Sequence, residues 1–222
     1  MQHGVPTARR QPFYHVLPDT PMMKSLKIVL LLGAAVVAGL AVSVAVRGPD
    51  RSPLAGGVRL DQPRPLPAFA LSDHRGQPFG PSDLAGRWHL LFSGFTHCPD
   101  LCPNTLAILK SVESELGEHA DAVQTVFLSV DPERDTPESL ASYVHYFSPN
   151  FVGVTGERAQ IDTLMRGLGL AYAIGDTSDP GYTVDHSAAL VVIDPQGRVA
   201  AYLSAPHKPG VIAEDLKRMM GA

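Results

Sequence analysis

The sequence predicts an α/β domain carried behind a membrane-spanning segment. Three observations carry this expectation. Short apolar runs alternate with amphipathic helical patterns over residues 68–222, a 19-residue apolar run lies near the N-terminus, and a Pro- and Gly-rich stretch separates the two. The 222 residues carry 18 Lys+Arg against 22 Asp+Glu, a formal net charge of −4. With 45% hydrophobic and 18% charged residues, there is ample material for one packed core. The slightly acidic balance argues against nucleic acid as a partner, because phosphate binding needs a basic surface.

The apolar run is Ile28–Val46, whose one polar member is Ser43. At 1.5 Å per residue it reaches roughly 28 Å, close to the hydrocarbon thickness of a bilayer. Arg9, Arg10, Lys24 and Lys27 precede it, with Asp19 the sole acidic residue, so the positive flank predicts an N-terminus inside and the remaining chain translocated. The run exceeds the 7–15 residues of a signal peptide. Ser43 and Ala45 nevertheless have the spacing of a cleavage site; a retained anchor is the expectation. Met22-Met23-Lys24 is a natural start for such a segment, which makes residues 1–21 an extension. The domain plan is therefore an N-terminal extension over 1–27, an anchor over 28–46, a Pro/Gly-rich stalk over 47–67 and a folded domain over 68–222.

Within the domain, Phe69–Leu71 and the Gly-bounded segment to Phe79 predict an opening hairpin. Trp88–Phe95 and Val123–Val130 are compact apolar runs expected as buried strands. Leu106, Leu109, Val112 and Leu116 recur at helical spacing between them. Thr136 and Pro137 are N-cap and first-turn residues for a helix to Phe147. A further helical pattern covers Ala159–Leu168. Ala188–Ile193 is a strand, Asp194-Pro195-Gln196-Gly197 is turn chemistry, Val199–Leu203 returns as a hairpin, and Pro209–Met220 closes as a helix. Strand–helix–strand followed by strand–strand–helix is the order of a thioredoxin-like fold.

The two cysteines, Cys98 and Cys102, sit where the first central strand gives way to a helix. A helix N-terminus carries partial positive charge, which stabilises thiolate. A structural disulfide is a weak alternative: closing a loop of about five residues contributes only about 2 kcal/mol. Two thiols so placed can close on each other or on one ion, but two sulfurs make an incomplete metal site. Nine histidines are available for a third ligand. His3 and His15 precede the anchor, His74 and His89 belong to the first hairpin and strand, His119 ends a helix, and His145 lies on a solvated helical face. His97 adjoins Cys98 and can tune it. His186 precedes the strand Ala188–Ile193, where a thioredoxin-like sheet faces the cysteine helix, and Asp185 can orient its ring. A lone histidine there is also an ordinary structural residue, and position alone leaves the two readings open.

The segment Phe95-Thr96-His97-Cys98-Pro99-Asp100-Leu101-Cys102-Pro103 resembles the Cys-x-x-x-Cys-Pro signature of the Sco/SenC family, copper-binding assembly factors of cytochrome c oxidase. Ser129–Glu138 and Val184-Asp185-His186-Ser187 match two further segments in order, and the resemblance covers the chain from Pro67 onward. It implies Cys98, Cys102 and His186 as ligands of one copper ion, Cu(I) or Cu(II). It implies as partners a copper-receiving oxidase subunit and another copper chaperone. A single N-terminal anchor is a family feature. No Arg- and Ser-rich transit peptide is apparent, so a bacterial inner membrane with the domain in the periplasm is expected.

Thiolates favour Cu(I) and imidazole also tolerates Cu(II); zinc usually takes four ligands in structural sites. The first expectation is a metallochaperone. The alternative is a thiol–disulfide oxidoreductase in which Cys98 attacks and Cys102 resolves. A peroxidase is disfavoured because one residue, not two, separates Thr96 from Cys98, and a copper or redox sensor shares every feature of the chaperone. Asp131–Glu138 reads either as solvated charge around a helix start or as a docking segment.

Overall fold

Seven consecutive residues, Trp88–Gly94, are apolar on both faces apart from His89 and Ser93, and all but Trp88 are buried. Only a strand covered on both sides accommodates such a run. In the computed structural model, which describes residues 30, 32–35 and 53–222, this segment (β4) lies at the centre of an eight-stranded sheet. The other strands are β1 (Gly57–Pro65), β2 (Leu71–Asp73), β3 (Pro78–Phe79), β5 (Val123–Ser129), β6 (Val152–Thr155), β9 (Leu190–Ile193) and β10 (Arg198–Leu203), in the order β1-β10-β9-β4-β5-β6-β2-β3. β4 runs parallel to β5 from Trp88↔Val123 to Gly94↔Ser129, and β6 parallel to β5. The neighbours β9, β10, β1, β2 and β3 add antiparallel pairs. A separate two-stranded sheet pairs β7 (Tyr172–Ile174) with β8 (Val184–His186), with Tyr172 opposite His186.

Side-chain alternation along β4 distributes the core. Leu90 and Phe92 face helices α1 (Leu101–Leu116), α2 (Pro137–Phe147) and α4 (Pro209–Met220), joining Leu106, Leu109, Leu140, Val144, Ile212 and Leu216. Leu91 faces the other way, onto Ile161, Leu164 and Leu168 of α3 (Arg158–Leu168). The expected N-cap holds: the Thr136 hydroxyl accepts the Ser139 amide at 3.3 Å. The mixed sheet with helices on both faces is the thioredoxin-like arrangement expected, and it places the carboxyl ends of β4 and β5 side by side. In open α/β sheets, that end holds the site.

Three sequence expectations need correction. The stalk over 47–67 does not extend through 57–65, which form β1 along β10; prolines are tolerated there because β1 is an edge strand. Residues just before it also belong to the domain: Leu54 is buried, and the amides of Ala55 and Gly56 donate to the Asp215 carboxylate. Val184–His186, read only as the segment before the strand Ala188–Ile193, is itself strand β8, and β6 was not anticipated; both segments are too short for a periodic signal. Of the N-terminal unit, Leu30 and residues 32–35 are helical. No helix among the described residues is long and apolar enough to cross a membrane. The extension 1–27 and almost all of Ile28–Val46 lie outside the described residues.

Candidate metal centre

At the end of β4 the chain passes Gly94 and turns through Phe95–Cys98, closed by the Cys98 amide on the Phe95 carbonyl at 3.3 Å, before α1 begins at Leu101. The turn makes Cys98 half-buried and points its sulfur at the first turn of α1, where the Cys102 amide donates to it at 3.4 Å. Cys102 lies one turn on, fully buried, and both thiols are free. Gly94 is required here: a Cβ on it would stand 2.5 Å from Cys102 Sγ.

β8 brings His186 to the pair. Its Nε2 lies 3.3 Å from Cys102 Sγ, and its ring meets Phe92 and Phe95 edge-on at 5.7 and 6.1 Å. The donor atoms of Cys98, Cys102 and His186 all lie within 4.8 Å of one another. Ligands bonded to one ion at about 2.0–2.3 Å stand roughly 3.5–4 Å apart, so the cluster fits a single ion with small adjustments. Two soft sulfurs and one imidazole match copper in either oxidation state, and the set accommodates one copper ion. Burial pushes the Cys102 thiol well up, with neighbouring Cys98 adding to the shift. Burial likewise lowers the His186 pKa, which favours the neutral imidazole that ligates metals.

The structure brings together the three residues that the sequence singled out, but their support differs from the one expected. The second ring nitrogen of His186 meets the Ser187 carbonyl at 3.1 Å, so a backbone oxygen, not the Asp185 carboxylate, orients the ring. The His97 ring is turned outward, with Nδ1 3.1 Å from Thr96 Oγ1, and is not among the converging donors. Asp131 and Asp135, read as solvated charge or docking residues, are 0% and 1% exposed. Asp135 accepts from the Thr96 amide (3.0 Å), the Thr96 hydroxyl (2.6 Å) and the Ser129 hydroxyl (2.6 Å), which pins the cysteine turn to the end of β5. The one available signal was their position directly after a buried strand that ends in Ser129.

A dithiol at the strand–helix junction of a thioredoxin-like sheet, completed by a histidine from an added hairpin, defines a metal-binding and redox-capable domain. The family model for SCO1/SenC matches residues 59–221, and the chain belongs to that family. A Stutzerimonas stutzeri protein is 35% identical over 192 residues, covering 85% of this chain and 92% of its own. The mitochondrial SCO1 homolog of Homo sapiens is 32% identical over 225 residues, 97% of this chain and 73% of its own. Against the mitochondrial SCO2 homolog of Mus musculus, the match spans 62% of that protein's length. Among solved structures, Bradyrhizobium japonicum ScoI with copper bound aligns with a TM-score of 0.64 at 35% identity, over 70% of this chain and 99% of that one.

Proposed function

We propose that this chain is a copper metallochaperone that binds one ion through Cys98, Cys102 and His186 and hands it to the dinuclear copper centre of a cytochrome c oxidase subunit. The observation that carries the reading is the convergence of two sulfurs and one imidazole nitrogen within 4.8 Å, in a family with a copper-bound member of 35% identity. The sulfurs hold Cu(I) and the imidazole extends the set to Cu(II), so one site serves both states. On this reading the partners are the receiving oxidase subunit and an upstream copper chaperone. The Ile28–Val46 segment anchors the domain by a single pass on the periplasmic side of a bacterial inner membrane.

The test is copper stoichiometry of the reduced full chain in detergent, beside Cys98→Ala, Cys102→Ala and His186→Ala. About one copper per parent chain and little retention in all three variants is the expected result. No copper in the parent, or copper indifferent to His186→Ala, overturns the three-ligand site.

One asymmetry favours a second reading. Cys98 is half-exposed while Cys102 is buried beneath it, the arrangement of an attacking and a resolving thiol. As a thiol–disulfide oxidoreductase, Cys98 would displace one sulfur of a target disulfide. Cys102 would then release the second target thiol by closing a Cys98–Cys102 bond. That activity survives His186→Ala in part, whereas copper retention does not.

A further inference from the structure

The hairpin that delivers His186 forms its own two-stranded sheet, and a lone hairpin is marginally stable. Side-chain contacts must therefore fix its position. At the end of the ladder that holds His186, the hydroxyl of the opposite residue, Tyr172, donates to Asp162 of α3 at 2.7 Å. At the other end, where Tyr182 leads into β8, the contacts converge on Arg134.

Arg134 Nε donates to Asp131 Oδ2 at 2.5 Å. The centre of its guanidinium lies 3.5 Å from the Tyr182 ring centre and 5.5 Å from that of Phe95. The Tyr182 hydroxyl in turn donates to Asp131 Oδ1 at 2.6 Å, so Asp131, Arg134 and Tyr182 form a closed triangle. Arg134 Nη2 is buried and has no hydrogen-bond partner among the described residues, and the cation lies over the faces of the two rings. The triangle and Phe95 together join three segments: Asp131 and Arg134 follow β5, Tyr182 leads into β8, and Phe95 belongs to the cysteine turn and touches the His186 ring.

We propose that Arg134 is a positioning residue that latches the His186 hairpin onto the cysteine turn and so sets how firmly the site holds its ion. The proposal rests on the Cys98/Cys102/His186 reading above. Arginine suits the role because its planar cation stacks on a ring while donating to a carboxylate at its edge. Lysine can keep the charge beside Asp131 but cannot fill the slot between Tyr182 and Phe95.

The test uses the reduced full chain in detergent with Cu(I) as probe, comparing Arg134→Met, Arg134→Lys, Tyr182→Phe and His186→Ala. Arg134→Met is expected to lose copper to a competing chelator about 10–100-fold more readily than the parent, the range for loss of an outer-shell partner, with Arg134→Lys and Tyr182→Phe in between. Adding Arg134→Met to His186→Ala should weaken retention no further, because the latch acts through His186. A metal-free arm follows amide exchange: over residues 172–186, Arg134→Met should exchange about 10-fold faster or more, with β4 and β5 unchanged.

Parent-like exchange in that hairpin overturns the latch, and so does acceleration spread over the whole sheet, which marks a merely structural role. Faster hairpin exchange with parent-like copper retention overturns its effect on the ion. A parent that binds no copper, with the hairpin still loosened by Arg134→Met, sinks the metal reading and leaves the latch standing.

Discussion

Asp135 offers the sharpest test of how the cysteine turn is held. It is 1% exposed, and its two oxygens accept three hydrogen bonds, two at Oδ2 from the Thr96 amide and Ser129 hydroxyl and one at Oδ1 from the Thr96 hydroxyl. Asp135→Ala deletes every acceptor. A hydrogen bond to a charged group contributes about 1.5–3 kcal/mol, and a stranded buried donor costs about 1–3 kcal/mol. The two hydroxyls can rotate toward other partners, whereas the Thr96 amide cannot. Because the three bonds share one carboxylate, they do not add, and the expected loss is about 4 kcal/mol. Asp135→Asn is milder. Its carbonyl oxygen can take the Oδ2 position, and the Thr96 hydroxyl can turn to accept from the new amide group, so the cost is about 1–2 kcal/mol. Guanidinium unfolding of the metal-free protein, followed by the fluorescence of the single tryptophan, Trp88, measures both variants. Copper retention should fall in the same order, since Thr96 lies two residues before Cys98. An Ala variant within about 1 kcal/mol of the parent, or an Asn variant no better than Ala, would refute the account.

Three further outcomes follow from the packing. Gly94→Ala places a methyl 2.5 Å from Cys102 Sγ and 2.9 Å from the Phe127 ring, so it should destabilise by about 1–3 kcal/mol and lower copper stoichiometry; a parent-like Tm and metal content would contradict this. His89 is 1% exposed, and burial pushes its pKa from 6.5 down to about 4. Between those values the unfolded chain binds a proton that the folded one does not. Stability is therefore lost as pH falls from about 6.5 to 4, by about 3 kcal/mol from this residue, and His89→Gln should flatten that limb of the stability–pH curve. A variant with the parent's slope would refute the assignment. Asp215→Ala strands the Ala55 and Gly56 amides at a cost of about 2 kcal/mol, and limited proteolysis near residues 53–57 should accelerate; an unchanged cleavage rate would argue against the tie.

Much of the fold was legible because its central elements announce themselves locally. The apolar runs of β4 and β5, the helical spacing of Leu106, Leu109, Val112 and Leu116, and the Thr136 cap each repeat a local rule, and each element formed where that rule put it. β1 was missed because its prolines and glycines satisfy the rules for a linker equally well. Only β10, 140 or so residues along the chain, decides that those backbone groups find partners. β6 and β8 are four and three residues long, too short to show a period.

By itself, the sequence determined the α/β class, the placing of Cys98 and Cys102 at a strand–helix junction, and, through three ordered family segments, the choice of His186 among nine histidines. Only the tertiary structure decided that His186 Nε2 comes to 3.3 Å from Cys102 Sγ, that Ser187 and not Asp185 orients the ring, and that buried Asp131 and Asp135 and partly buried Arg134 are supports instead of solvated charges. The physical reason is range. Periodicity and capping are settled within a turn or two of the chain, whereas the burial of a carboxylate depends on donors such as Thr96 and Tyr182, which lie 39 and 51 residues away from Asp135 and Asp131 and meet them only once the sheet has formed.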